Sequence, residues 1–144
     1  METVRHLLED KGDKVWSIRP SASVYDALER MAEKDVGALV VLEGDVLKGI
    51  FSERDYARKI VLHGKSAAET RVQDVMTPDV VCVSPEQRIE DCMALMTEKH
   101  IRHLPVLEDG KVVGVISIGD VVKEVIAEQE FTIEQLENYI TGTR

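Results

Sequence analysis

The sequence predicts a mixed α/β (α+β) fold: two β-α-β-β-α units with a helix appended. Three observations predict it. The chain matches itself at an offset of 65 residues. Each copy alternates short apolar runs with a segment of helical periodicity. The composition is that of a globular chain: 144 residues, 44% hydrophobic and 31% charged, a length that suggests one compact module.

The repeat is in register without a gap from Pro20 to Asp55. Twelve of those 36 positions are identical. Pro20 falls on Pro85, Asp26 on Asp91, Met31 on Met96, and Glu33-Lys34 on Glu98-Lys99. Leu39, Val41, Leu42 and Glu43 fall on Leu104, Val106, Leu107 and Glu108. Gly49, Ser52 and Asp55 fall on Gly114, Ser117 and Asp120. A duplication of this length fixes the architecture before any single element is assigned.

In chain order, TVRHLL (3–8) reads as a lead-in helix and VWSI (15–18) as a strand entering a Pro turn. Val24, Ala27, Leu28 and Met31 recur at helical spacing. ALVVL and VLKGIF then form a hairpin around EGD, and a second helix starts after Ser52. Residues 62–78 read as a loop and a short helix, RVQDVM (71–76), which echoes the first lead-in. The second unit repeats the order. VVCV (80–83) is a strand, and Ile89, Cys92, Met93 and Met96 mark a helix. HLPVL and KVVGVIS pair around EDG, and a helix follows Ser117. Pro105 removes a ladder donor and so implies a strand edge or start. FTIEQLENYITG (131–142) reads as an appended helix with a Thr132/Gln135 capping box and an Ile133, Leu136, Ile140 stripe. That stripe faces either its own domain or a partner subunit. The division is 1–61 for the first repeat with its lead-in helix, 62–78 for the linker, 79–126 for the second repeat and 127–144 for the extension.

A net charge of −9 argues against nonspecific nucleic-acid binding, which relies on a basic face. No apolar run approaches the roughly 18 residues of a membrane span. The charged METVRHLLEDKGDK start lacks a signal-peptide core, so a cytoplasmic setting is expected. Cys82 and Cys92 have no CxxC spacing and read as small buried hydrophobes. His100 and His103 stand three apart, but no further ligand completes a metal pattern; His103 reads as a cleft-lining polar group. No nucleophile–base pair and no glycine-rich phosphate loop is present, so neither an enzyme nor a catalytic cofactor is expected.

The stretch GIFSERDYARK (49–59) and its echo GVISIGDVVKE carry the candidate chemistry. Ser at a helix N-cap with an acidic residue three positions later is a capping pattern, and capping alone explains both residues. Ser23…Asp26 and Ser66…Glu69 fit it too. Two things set 52–55 and 117–120 apart: each follows a Gly-apolar-apolar strand directly, and they are equivalent in the duplication. A strand feeding a helix N-terminus presents backbone donors suited to an anion. Arg54, Arg58 and Lys59 add cations nearby. The Asp would repel a bare phosphate but can accept from the two hydroxyls of a ribose. A Ser/Asp pair flanked by cations therefore suits ribose plus phosphate.

Two β-α-β-β-α units, each ending in G-h-h-S-x-x-D (h apolar), with IRHLPV in the second, resemble a tandem pair of CBS domains, named after cystathionine β-synthase. The resemblance covers roughly residues 1–126. It implies a pseudo-twofold module whose clefts bind AMP, ATP, NAD or S-adenosylmethionine. It implies a homodimer as well, and regulation of a separate effector protein. Carried onto this sequence, it points to Asp55 and Asp120 for the ribose hydroxyls and to Ser52 and Ser117 for ribose or phosphate. It points to the backbone near Ile18 and Val83 for the base. The adenine slot falls at Gly37, Ala38 and Leu39, and at Arg102, His103, Leu104 and Pro105. The two sites should be inequivalent. The first has Arg54 in its motif and a small, roomier slot. The second has Gly119 in its motif, with Arg102 and His103 at the strand. The alternative to a sensor is a constitutive dimeric scaffold with empty clefts.

Overall fold

The computed structural model describes residues 2–12 and 14–141. Its elements, in order, are α1 (Val4–Lys11), β1 (Ser17–Ile18), α2 (Val24–Lys34), β2 (Ala38–Glu43), β3 (Val46–Ser52), α3 (Glu53–Asp55), α4 (Val72–Val75), α5 (Ile89–Lys99), β4 (His103–Glu108), β5 (Lys111–Ser117) and α6 (Ile118–Thr141). A π-helical stretch, Tyr56–Val61, continues α3. The α/β reading and the duplication are both present.

The hairpins carry the repeat most closely. In the first, Ala38 pairs with Ser52; in the second, His103 pairs with Ser117. Both have a bulge at the same place, Val41/Leu42 and Val106/Leu107. The turns are tight because left-handed residues stand where two-residue loops need them: Gly44, and the pair Asp109-Gly110. This register sets the motif Ser directly across from the start of the preceding strand. The amide of Glu53 then donates to Gly37 O at 3.0 Å and that of Ile118 to Arg102 O at 2.8 Å.

The strands at 15–18 and 80–83 are shorter than the sequence predicts. Only Ser17 and Ile18 pair, parallel to Val40 and Val41, and in the second unit only Val83 bridges Val106. In the second unit Pro105 supplies the reason. It lies third in β4, an edge strand of the two-stranded β4–β5 sheet, with β5 on one side and only the isolated Val83 bridge on the other. Val83 N donates to Pro105 O and Leu107 N to Val83 O. The next rung would need a Pro105 N–H, which does not exist.

The C-terminal reading also needs correction. No separate helix starts at Thr132. One helix of 24 residues runs from Ile118 to Thr141, because no Gly or Pro stands between Asp120 and Thr141 to break it. Thr132 Oγ1 donates to Glu128 O at 3.1 Å, as a mid-helix residue does, so no capping box forms. Gly142 of the predicted segment lies outside the described residues. Ser66…Glu69 is likewise a turn and caps no helix.

Two cores result, and the lead-in helices exchange between them. Val4, Leu7 and Leu8 of α1 pack with Val83, Ile89, Cys92, Met96, Leu104 and Ile116 of the second unit. Val72 and Val75 of α4 pack with Val24, Ala27, Leu39, Val41 and Phe51 of the first. The motif glycines permit this crossing. A Cβ at Gly49 would stand 2.7 Å from Thr77 O and Met76 Sδ, and one at Gly114 would stand 2.7 Å from Leu8 Cδ2. Both cysteines are free. Burial pushes the Cys92 thiol up to about 11 and raises that of Cys82, so both stay protonated at neutral pH.

Candidate functional site

Each motif Asp first caps its own helix. Asp55 N donates to Ser52 Oγ at 3.2 Å, while Asp55 Oδ2 accepts from Ser52 N at 2.9 Å and from its hydroxyl at 3.1 Å. In the second unit Asp120 N donates to Ser117 Oγ at 3.1 Å and Asp120 Oδ2 accepts from Ser117 N at 2.8 Å. Such caps contribute about 1 kcal/mol each.

Beyond the cap, the two carboxylates differ. Asp55 Oδ1 accepts from Thr77 Oγ1 at 3.2 Å and pairs with Lys59 Nζ at 3.0 Å, and the side chain is 12% exposed. All its acceptor capacity is directed at the protein. Asp120 takes Lys11 Nζ on the same oxygen that closes its cap, at 2.5 Å, and is 25% exposed. Its Oδ1 accepts no hydrogen bond from the described residues. Lys11 Nζ also donates to Val115 O at 2.6 Å, which ties the end of α1 to β5. Burial pushes the Asp120 carboxyl up, but Lys11 and Ser117 outweigh it and hold the group below its ordinary value.

Two clefts adjoin at Gly37, Arg102 and His103, and each combines both units. The first, about 290 Å³, has Ser52, Arg54 and Asp55 on one wall and Ile101, Arg102 and His103 on the other, with Thr77. The second, about 710 Å³, has Ser117, Gly119 and Asp120 facing Gly37 and Ala38, with Lys11, Lys14 and Trp16 at its side. The sequence paired each motif with the slot of its own unit and gave the first site more room; the structure reverses this. Arg54 reaches across to donate to His100 O at 2.6 Å, bridging the units instead of standing free for a phosphate. Only the second cleft lies well within the volume range typical of small-molecule sites.

His103 stands where the clefts meet, half-buried. Burial lowers its pKa; Lys11, Arg102 and Arg54 lower it further, and Asp120 opposes them in part. The imidazole is therefore neutral at pH 7. A Cβ on Gly37 would meet Glu53 Oε1 at 3.1 Å and His103 Nε2 at 3.5 Å, the latter an ordinary contact across the two units.

Ile18, Leu39, Val83, Leu104 and Pro105 line neither cleft. Leu39 and Leu104 point into the cores, Val83 is held by its bridge to Val106, Pro105 is buried, and Ile18 lies beside Arg19 and Arg30 on another face. Conversely, the sequence reading missed Lys11, Lys14, Trp16 and Thr77. Carrying the 65-residue offset upstream sets Gly12 on Thr77 and Lys11 on Met76, which marks the end of each lead-in as a candidate. It does not show that the lead-ins cross, and the crossing is what brings Lys11 to Asp120.

The family model described as CBS domain matches the chain twice, at residues 5–62 and 72–127. CBS domain-containing protein CBSX3, mitochondrial, from Arabidopsis thaliana is 40% identical over 97% of this chain and 72% of its own length. A solved structure from Burkholderia ambifaria MC40-6, described as a candidate signal-transduction protein with CBS domains, is 51% identical. It superposes with a TM-score of 0.85 over 89% of this chain and 96% of that one. CBSX2, solved in complex with AMP, is 28% identical with a TM-score of 0.72 over 88% and 98%. The duplicated hairpins, the paired G-h-h-S-x-x-D motifs and these matches agree: this chain belongs to the CBS domain family, as a tandem pair.

Proposed function

We propose that this protein is a cytoplasmic regulatory module, not an enzyme, that senses an adenine nucleotide (AMP, ATP or NAD) chiefly in the cleft at Asp120. The observation that carries the reading is that Asp120 lines a cleft of about 710 Å³, beside Lys11, Lys14 and Trp16, with an Oδ1 that accepts no hydrogen bond from the described residues. The carboxylate can accept from a ribose diol. The two ammonium groups can meet phosphate, and the indole can pack against a base. The AMP complex of CBSX2 supports the same ligand class. The cleft at Asp55 is the weaker one, since Thr77 and Lys59 already occupy its carboxylate. That saturation favours a scaffold role for the first cleft alone.

Binding would be transmitted through α1. A ribose diol that spans both oxygens of Asp120 would compete with Lys11 for Oδ2, and the helix of Lys11 is built into the second core. Moving Lys11 from carboxylate to phosphate would shift α1 against α6 and alter the surface offered to an effector protein or a second subunit. A ligand shifts such an equilibrium only by its differential affinity for the two states.

The test is calorimetric titration of nucleotide-stripped protein with AMP, ATP, NAD and S-adenosylmethionine. At least one should bind, and Asp120→Ala should weaken that binding by about tenfold or more, the cost of one charge-assisted hydrogen bond. Asp55→Ala should have the smaller effect. No heat and no thermal shift with any of the four would sink the sensor reading. Unchanged binding in Asp120→Ala would move the site elsewhere.

A further inference from the structure

Helix α6 carries a second apolar row that the fold does not use. Its inner face is spent on the second core: Val121 is fully buried, and Ile118 and Val125 pack beside it. One residue round the helix runs another row, Val122, Ile126, Gln129, Ile133, Leu136 and Ile140. Its spacing alternates four and three, the heptad pattern of a two-stranded seam. Its apolar members are 41%, 50%, 55%, 57% and 81% exposed in that order.

From Gln129 to Thr141 every residue of the helix except Asn138 is exposed. That stretch extends about 20 Å with almost no protein surface beneath it. Most helices in proteins draw their stability from packing an apolar face, and this half of α6 packs almost none of its own. Phe131, Thr132, Ile133, Ile140 and Thr141 are weaker helix formers, so propensity does not supply the difference.

We infer that this row is a self-association surface, and that its occupant is the same helix of a second copy in parallel register. Three features select that occupant. Ile126, Ile133 and Ile140 hold one heptad position while Val122 and Leu136 share the other, and in a parallel coiled coil β-branched residues at the first with Leu at the second favour two strands. Gln129 would meet the Gln129 of the second copy, where two amides satisfy each other; against an unrelated apolar surface it would be buried without a partner. The flanking positions are asymmetric in charge. Glu130 and Glu137 line one side of the row, Thr132 and Tyr139 the other. A parallel pair sets Glu137 beside Thr132 of the second copy, whereas an antiparallel pair brings the two acidic rows together. The inference is independent of the nucleotide reading.

The experiment is sedimentation velocity on the full chain over a range of concentrations, with the Ile133→Glu/Leu136→Glu double variant alongside. Both substitutions lie on exposed positions, and circular dichroism checks that the variant stays folded. The parent should form a dimer, and the variant should dissociate at least about tenfold more readily, the effect of two buried charges in a seam. A monomeric parent, or a folded variant that dimerises as the parent does, would overturn the proposal. Ile140→Cys tests the register. Under mild oxidation it should form a disulfide-linked dimer that the parent does not. A dimer that fails to cross-link at this position would overturn the parallel arrangement.

Discussion

At Asp120, a cleft-lining residue, one carboxylate closes a helix cap with one oxygen and leaves the other without a hydrogen bond from the described residues. Asp55 has the same backbone setting, yet Thr77 and Lys59 use up its remaining capacity. The difference arises from two positions. Lys59, four residues after Asp55, has Glu124 as its counterpart after Asp120, and Thr77 has Gly12. His103 gives the residue scale its prediction. Burial, helped by Lys11, holds its pKa below the ordinary 6.5, so as pH falls the unfolded chain takes up the proton first. Stability should be indifferent to this group above 6.5, and should fall as pH drops from 6.5 through the lower native value. Melting temperatures followed from about pH 8 to about pH 5 should fall less steeply for His103→Gln than for the parent. Parallel profiles would show that His103 is not held neutral by its site.

Among the elements, the two hairpins share one register and one bulge, and they differ in what crosses them. At Gly49 the obstacle to a side chain is a backbone carbonyl, Thr77 O, in a segment fixed by two hydrogen bonds to Ile50. At Gly114 it is the tip of Leu8, which can rotate away. Gly49→Ala should therefore cost about 1–3 kcal/mol in urea denaturation, and Gly114→Ala less, as overpacking against a yielding neighbour does. The reverse order would mean that α1 is held more rigidly than α4. These elements were largely legible in the sequence. Helical spacing placed α2 and α5, and the EGD and EDG turns placed the hairpins. Strand length was not legible at 80–83, because the missing Pro105 donor matters only once its neighbour is known. Nor was the continuity of α6, since a Thr-x-x-Gln pattern caps a helix only where the helix actually begins.

At the scale of the whole molecule, the exchange of α1 and α4 ties two cores into one folding unit. α1 precedes the first unit in sequence yet contributes Val4, Leu7 and Leu8 to the second core. Neither core is complete without a segment from across the duplication. Unfolding should accordingly be a single transition. Trp16, the one tryptophan, packs against the first core and reports on it by fluorescence, whereas far-ultraviolet circular dichroism reports on both. The two probes should give coincident urea curves. Separate midpoints would show that the units unfold independently despite the exchange.

By itself the sequence determined the duplication, the β-α-β-β-α order, the family and the two motif Ser/Asp pairs. The element order and the motif pairs rest on periodicity and on local hydrogen bonding within a few residues, the duplication on the match of the chain to itself, and the family on the resemblance its paired motifs carry. Only the tertiary structure decided that each cleft is shared between units, that Lys11 guards Asp120 while Thr77 and Lys59 fill Asp55, and that the larger cleft is the second. The shared clefts and the Lys11 contact depend on segments far apart in the chain, Lys11 and Asp120 being 109 positions apart, and Thr77 reaches Asp55 from 22 positions away, whereas Lys59 stands only four residues from it. The physical reason is that a capping motif is satisfied by its own helix, whereas the side chains that open or close a cleft arrive from wherever the chain has crossed.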